Sequence, residues 1–241
     1  MKFKLEVIGF TIESCLIAQA AGAHRIELCD NPSEGGTTPS YGFIKTAREN
    51  LLIELYPIIR PRGGDFLYSE IEFEVMKADI QICKNLGCDG VVIGMLNADG
   101  TVDKKKCKQL VDIAQPMGVT FHRAFDRTMD PFKALEDIIS IGCERILTSG
   151  QKSVATDGAA LLNELVKQAN GRIIIMPGSG VKSDNIETLV KKTNAIEFHT
   201  SARTYTDSKM EFINQSMDEK LTCVTTSKDE IIKIMETLND C

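Results

Sequence analysis

Short apolar runs recur along the chain, and each is followed by turn residues and then by an amphipathic helical pattern. The helical patterns are clearest at 12–22, 71–87, 130–142 and 158–169. Strands are predicted at 4–10, 24–29, 55–60, 90–94, 119–123, 145–149, 172–176 and 195–200. Eight strands that alternate with helices predict an α/β fold, a single (β/α)8 TIM-type barrel. An open, doubly wound sheet is the alternative.

Glycines mark the boundaries between helices and strands. Each follows a helical pattern and precedes a strand, where a helix commonly ends in the left-handed conformation. This conformation is therefore expected at Gly22, Gly87, Gly118, Gly142 and Gly171.

No linker, low-complexity tract or repeat divides the chain, so residues 1–241 are interpreted as one domain. Residues 204–228, after the eighth strand, are less regular and lack a clear period. A polar connection of this length is more than a turn. We expect it to cover the barrel mouth or to contact another subunit.

Strand side chains alternate between two faces, and in a barrel one face looks into the lumen. The residues predicted to face the lumen include Glu6, Glu27, Arg60, His122, Glu197 and His199. Buried charges must pair or meet a ligand. The set is therefore either a structural salt-bridge layer or a ligand site. The ligand site is favoured, because these residues lie toward the C-terminal ends of their strands, the catalytic face of such barrels.

Candidate catalytic roles follow from these residue types. Glu6 and Glu27 form a carboxylate pair for general acid–base chemistry, one of them with a raised pKa. His122 and His199 are candidates to relay protons or to hold a divalent metal. Arg60 is a candidate to bind an anion.

Several loops after the strands have the composition of anion sites. The loops after strands seven and eight are the usual phosphate site in this architecture. They contain Gly178, Ser179, Gly180, Ser201 and Arg203. Further candidates after other strands are Arg62, Ser149, and the pair Arg123 and Asp126, which is equally well interpreted as a salt bridge at the rim.

Composition and missing motifs narrow the function. The chain has a net charge of −6 and no basic block, so neither a nucleic acid nor a membrane surface is an expected partner. The start, MKFKLEVIGF, lacks the apolar core of a signal peptide. The eight cysteines are therefore interpreted as reduced thiols of a cytoplasmic protein. No strand ends in lysine, which argues against a Schiff-base aldolase, and no motif for a nucleotide or organic cofactor is present.

Seven segments, in order, resemble the CutC family, the copper homeostasis protein CutC and its homologues. They are RIELCDNPSEGGTTPS, IIRPRGGDFLYSE, EVMKADI, VTFHRAFD, RILTSG, IIMPGSGV and EFHTSAR. The resemblance covers about residues 3–203, with Ser179 in place of a glycine typical of the family. It implies a TIM-type barrel, a cytoplasmic setting, a homo-oligomer and a role in copper handling that includes Cu(I) binding.

Cys29 is the candidate copper ligand, because it ends a strand with its side chain predicted to face inward. Cu(I) prefers thiolates and thioethers, but no second thiol is evident from spacing. Cys15, Met95, Met176 and Met210 are the alternatives.

Two functions follow. The first is copper binding or buffering. The second is an enzyme, of lyase, isomerase or hydrolase type, that acts on a small anionic and sugar-like metabolite. The sequence leaves open whether the chain is an enzyme.

Overall fold

The computed structural model describes residues 3–219 and 221–241, and it confirms the (β/α)8 barrel. The barrel strands are β1 Lys4–Gly9, β2 Arg25–Leu28, β3 Glu54–Pro57, β4 Gly90–Ile93, β5 Gly118–Phe121, β6 Arg145–Thr148, β7 Ile174–Pro177 and β8 Glu197–Thr200.

Helices follow the strands around the outside of the barrel. They are α1 Ile12–Ala20, α2 Tyr41–Asn50, α3 Glu70–Asn85, α4 Lys104–Ala114, α5 Pro131–Ile141, α6 Ala159–Ala169, α7 Ile186–Thr193 and α8 Lys228–Asp240. Thr11 and Ser69 are the N-cap residues of α1 and α3, and each forms a capping box. The capping boxes satisfy backbone N–H groups that the first turn of a helix leaves without a partner. Two short 3-10 helices, Pro32–Glu34 and Arg123–Arg127, lie in the loops after β2 and β5.

The strands form two parallel sheets, ordered β3-β2-β1-β8 and β4-β5-β6-β7, which together make the barrel wall. Between β3 and β4 the wall is closed by a bridge from Ile58 to Val92. At the other seam β7 and β8 lie side by side, and a Cβ atom on Gly178 would lie 3.3 Å from the Cβ atom of His199. The absence of a side chain at Gly178 therefore permits the close approach of these two strands.

Apolar residues occupy two separate regions. The larger core lies between strands and helices and includes Leu5, Ile26 and Phe198. A small apolar cluster lies inside the barrel and consists of Ile8, Cys29, Tyr56, Ile58 and Val92. The predicted lumen residues Glu6, Glu27, Glu197 and His199 are the strand neighbours of these outward residues, as alternation requires.

The N-terminal half of the lumen is filled by charged and aromatic side chains that we call the lumen floor: Arg25, Tyr56, Arg145 and Glu197. The Glu197 carboxylate accepts from Arg25 Nη1 at 2.9 Å and from Arg145 Nε at 2.6 Å. All three side chains are almost fully buried. The alternative of a structural salt-bridge layer is therefore correct for this half of the barrel.

Tyr56 crosses the floor and donates its hydroxyl to Glu144 Oε1 at 2.8 Å. Cβ atoms on Gly90 and Gly118 would lie 2.1 Å and 2.3 Å from its side chain. Gly118 was expected to adopt a left-handed conformation, and this prediction is wrong. It is the first residue of β5, and its role is to leave space for Tyr56. The other four boundary glycines, Gly22, Gly87, Gly142 and Gly171, have positive φ as expected.

Residues 204–228, expected to be less regular, contain ordered structure. An antiparallel hairpin pairs β9 Arg203–Asp207 with β10 Thr222–Thr226 before α8 begins. The side chains of β9 are exposed on both faces, so the strand has no burial pattern in sequence. None of the described helices combines the length and apolar character needed to cross a membrane.

Candidate functional site

A cavity of about 170 Å³ opens at the C-terminal ends of the strands. Its wall brings together most of the predicted site residues. These are Glu27, Arg60, His122, Arg123, Ser179, Gly180, His199, Ser201 and Arg203. The prediction of one polar mouth from strands that were interpreted independently is thus matched by the structure.

Glu6 lies beneath the cavity and forms a hydrogen bond with His199. Its Oε1 atom lies 2.8 Å from His199 Nδ1, and its Oε2 atom accepts from Arg25 Nη1 at 3.3 Å. Burial alone raises the pKa of the Glu6 carboxyl. The hydrogen bond and charge of His199, together with Arg25 and Arg145, outweigh burial and lower this pKa to about 2. Glu6 is therefore a carboxylate at any pH near neutral.

Glu27 faces the other nitrogen of the same imidazole, with Oε2 at 3.7 Å from His199 Nε2. Burial and the nearby charge of Glu6 raise the pKa of Glu27 to about 7, although His199 opposes this. Burial lowers the pKa of His199, but the hydrogen bond to Glu6 and the charges of both glutamates raise it on balance. The two carboxyls therefore differ in protonation although they share one histidine.

This trio is a candidate metal site. Glu6, Glu27 and His199 each offer one ligand atom, and these atoms lie within 4.8 Å of one another. Metal-bound histidines usually donate their second ring nitrogen to a carboxylate, as His199 is placed to do toward Glu6. Glu27 and the Nε2 atom of His199 are then the ligands that face the cavity.

Arg60 organises the loops around the cavity. Its Nη1 atom donates to the carbonyls of Glu34 and Gly36, each at 2.7 Å, and its Nη2 atom donates to Gly64 at 3.0 Å. Within the described chain it forms no ion pair with a carboxylate. Its buried positive charge is therefore stabilised by carbonyl dipoles and by the ring of Phe66, 5.1 Å away, and remains available to a negative ligand.

His122 is neutral. Burial and the charge of Arg60 lower its pKa to about 3. Its Nδ1 atom accepts the N–H of Ala124 at 3.1 Å, at the start of the 3-10 helix after β5. The proton of the neutral ring therefore resides on Nε2, a buried donor with no partner among the described residues.

Arg123, Asp126 and Ser149 form a compact group at the rim. Asp126 accepts from Arg123 Nε at 2.8 Å and from the N–H of Ser149 at 3.0 Å. Thr148 and Gln151 donate to the same carboxylate. Asp126 thus holds the loop after β6 against the 3-10 helix, and of the three only Arg123 lines the cavity.

Arg62 lies outside the cavity wall. Its Nε atom donates to Glu72 at 2.6 Å, and its Nη2 atom donates to Asp65 at 2.9 Å. Glu72 is also part of the capping box of α3, so Arg62 supports the start of that helix. The structure does not bring it to the other anion-site candidates.

Cys29 is fully buried on the lumen side of β2, two residues after Glu27 and on the same face of the strand. Burial and the nearby carboxylates raise the pKa of this thiol well above its usual range. Cys15 belongs to the core on the helix side of the barrel. Met176 is fully buried on β7 and pairs in register with Leu147, which lines the cavity.

Sequence reasoning missed the part played by Arg145 and the pairing of Arg25. Alternation carried a signal for the first, since Ile146 packs outward in the core and Arg145 must therefore face the lumen. Arg25 shares the inward parity of Glu27 on β2, but its contacts with Glu54, Glu6 and Glu197 depend on how the strands are staggered.

Comparisons with known proteins agree with this fold. The model of the CutC family matches residues 3–204. This chain belongs to the CutC family. A CutC family protein from Chromobacterium violaceum is 54% identical over 208 residues, which cover 86% of this chain and 84% of the relative. The human copper homeostasis protein cutC homolog is 48% identical over 223 residues, which cover 92% of this chain and 82% of the relative.

Comparison with solved structures also finds a CutC protein and other barrels of the same fold. A CutC structure from Streptococcus agalactiae has a TM-score of 0.79 at 33% identity and covers 83% of this chain and 98% of its own. Phosphoribosylanthranilate isomerase from Thermotoga maritima has a TM-score of 0.62 at 11% identity, over 99% of this chain and 100% of that one. That second likeness is one of fold alone.

Proposed function

We propose that this member of the CutC family serves copper homeostasis and binds Cu(I) as cargo in the barrel mouth. The human and mouse relatives are both named copper homeostasis protein cutC homolog. The observation that carries the proposal for this chain is the placement of Cys29. It lies on the lumen face of β2, on the same side of the strand as Glu27, whose carboxylate in turn faces His199.

The donors at this end of the lumen fit copper. A thiolate selects Cu(I), and an imidazole also suits copper. Cys29 and His199 supply these groups on the lumen side of the barrel, Glu27 faces the imidazole, and Glu6 orients it. Because the buried thiol has a raised pKa and must lose its proton to bind metal, Cu(I) affinity rises with pH.

A Cu(I) competition titration against a colorimetric chelator tests this proposal. The variants are Cys29→Ser and, as matched control, Cys143→Ser, a buried cysteine on the helix side of the barrel. The wild type and the control are expected to bind with the same affinity, and Cys29→Ser at least about tenfold more weakly. Equal affinities in all three proteins would refute a role for Cys29.

A second candidate function is supported by the two carboxyls. Glu6 has a pKa of about 2 and Glu27 of about 7, although both contact His199. Separated pKa values of this kind mark acid–base assignments in enzymes, and a group that titrates near neutrality transfers protons efficiently. We propose Glu27 as the proton-transfer group of a lyase, isomerase or hydrolase for a small anionic, sugar-like metabolite.

This second function is tested by proton NMR in heavy water with a defined mixture of sugar phosphates and sugar acids. Deuterium incorporation or conversion is expected with the wild type and not with Glu27→Gln. If the mixture is unchanged by the wild type, the enzymatic alternative fails.

We also propose a cytoplasmic homo-oligomer. Among the described residues no cysteine forms a disulfide, as in a reducing compartment. The loop between β9 and β10 exposes Met210, Phe212, Ile213 and Met217, an apolar surface suited to contact with a second copy. Light scattering is expected to give the mass of an oligomer that falls when Phe212 and Ile213 are both replaced by serine.

A further inference from the structure

We propose that the turn after β7 and the loop after β8 together bind a phosphate group, either free phosphate or the phosphate of a small monoester. This site adjoins the copper donors but shares no residue with them. The proposal rests on the enzymatic candidate function and extends it, because it names the part of the substrate that the protein binds. Phosphate binding itself requires neither copper nor turnover.

The turn at Ser179 and Gly180 presents hydrogen-bond donors to the cavity. Both residues have positive φ, 77° and 71°. Their carbonyls are already occupied, since Ser179 accepts from the N–H of Ala155 at 2.9 Å and Gly180 from Asn185 Nδ2 at 2.9 Å. Their N–H groups form no hydrogen bond with the described part of the protein. The turn is thus held in place through its acceptors and leaves its donors for a ligand.

The side chain of Ser179 reinforces this arrangement. Its hydroxyl donates to the carbonyl of Ser153 at 2.8 Å, so it is directed to the neighbouring loop. The serine that replaces a family-typical glycine therefore fixes the turn from outside. Successive backbone N–H groups in a turn are a common anion-binding arrangement.

Arg203, at the start of β9, supplies the charge. Its guanidinium packs over the ring of Phe10 at 5.1 Å, and its Nη1 atom donates a long hydrogen bond, 3.5 Å, to the carbonyl of Pro32. Neither Arg203 nor Arg60 is neutralised by a carboxylate in the part of the chain that the structure describes. Two such arginines line one cavity of a chain whose net charge is −6, so the mouth is locally suited to an anion.

Ser201 completes the set. It lines the same cavity as Arg203, Ser179 and Gly180, and its N–H and hydroxyl have no bonded partner among the described residues. A phosphate has three terminal oxygens, each of which accepts more than one hydrogen bond, and it therefore suits several backbone donors with one arginine. The rest of the cavity extends toward Glu27 and His199 and offers room for a small organic group.

Isothermal titration calorimetry on metal-free protein, in the presence of a chelator, tests the proposal. The probes are inorganic phosphate, glycerol 3-phosphate and, as the uncharged control, glycerol. The variants are Arg203→Met and the matched control Arg172→Met, an exposed arginine that pairs with Glu136 elsewhere on the surface. Phosphate binding is expected in the wild type and in the control, and at least about tenfold weaker binding in Arg203→Met.

The probes also distinguish the two sources of the phosphate group. Tighter binding of glycerol 3-phosphate than of phosphate identifies a monoester ligand, and the reverse order identifies the free ion. Binding that is equal in wild type and Arg203→Met identifies an adventitious ion only and overturns the proposal, as does the absence of binding at millimolar concentration. Cys29→Ser protein is expected to bind phosphate normally, so failure of the copper proposal is separable from failure of this one.

Discussion

The Oε1 atom of Glu6 lies 2.8 Å from the Nδ1 atom of His199, with both side chains buried between the lumen floor and the cavity. This contact stabilises the imidazolium and the carboxylate together. It also leaves the second nitrogen of the ring free to face Glu27, so one histidine links a permanently charged carboxylate to one that titrates near neutrality.

Replacing Glu6 by glutamine removes the negative partner of two buried cations, His199 and Arg25. We expect a loss of about 3–5 kcal/mol in the free energy of unfolding at neutral pH, the usual cost of breaking a buried ion pair from one side. Because the pKa of Glu6 is lowered from 4.5 to about 2, wild-type stability falls as pH decreases through this window. Urea denaturation over this range is expected to show a smaller fall in Glu6→Gln.

Glu27→Gln is expected to change the pH dependence of the free energy of unfolding in the opposite direction to Glu6→Gln. The native pKa of Glu27 is raised from 4.5 to about 7, so its contribution to stability is complete below the unfolded value and is lost as pH rises toward 7. The variant is therefore expected to gain about 1–3 kcal/mol relative to wild type at mildly alkaline pH. Urea denaturation at acidic and alkaline pH measures this difference, and a gain that is equal at both would contradict it.

His122 is expected to stay neutral down to strongly acidic pH. Its pKa is lowered from 6.5 to about 3, so it favours the folded state above 6.5 and this contribution is lost as pH falls. The proton resonances of its ring are therefore expected to stay constant between neutral pH and pH 5. A shift with a midpoint near the ordinary value for histidine would show that the ring is open to solvent.

Glu197→Gln tests the lumen floor. This change leaves Arg25 and Arg145 without a shared carboxylate, and we expect it to lower the free energy of unfolding by about 3–5 kcal/mol. Glu136→Gln is the control, because Glu136 forms an exposed pair with Arg172 that is worth about 1 kcal/mol or less. Similar losses in both variants, measured by urea denaturation, would argue against a structural role for the floor.

The alternation of side chains along strands placed Glu27, Cys29 and His199 in the lumen from sequence alone. This worked because each strand packs one face on the helices, and burial of that face fixes the other. The same rule applied to β6 would have placed Arg145 inward. It would not have paired Arg145 with Glu197, because that contact depends on the stagger of strands around the barrel.

Contacts made by loops were less predictable. The position of Arg62 after a strand, in a glycine-rich loop, predicts a place among the anion-binding residues. In the structure its partner is Glu72, at the start of the next helix. Gly118 was similarly assigned from its place between a helix and a strand, and only the three-dimensional path of Tyr56 explains it. Local sequence does not specify either contact.

The lumen floor closes the N-terminal end of the barrel. Tyr56, Arg25, Arg145 and Glu197 fill the N-terminal half of the lumen, so a ligand that enters at the C-terminal face leaves by the same opening. Passage of an ion from one end of the barrel to the other is therefore ruled out. Under the proposed function, a protein that receives copper from this chain therefore approaches the loop face, where Arg123 and Arg203 line the opening.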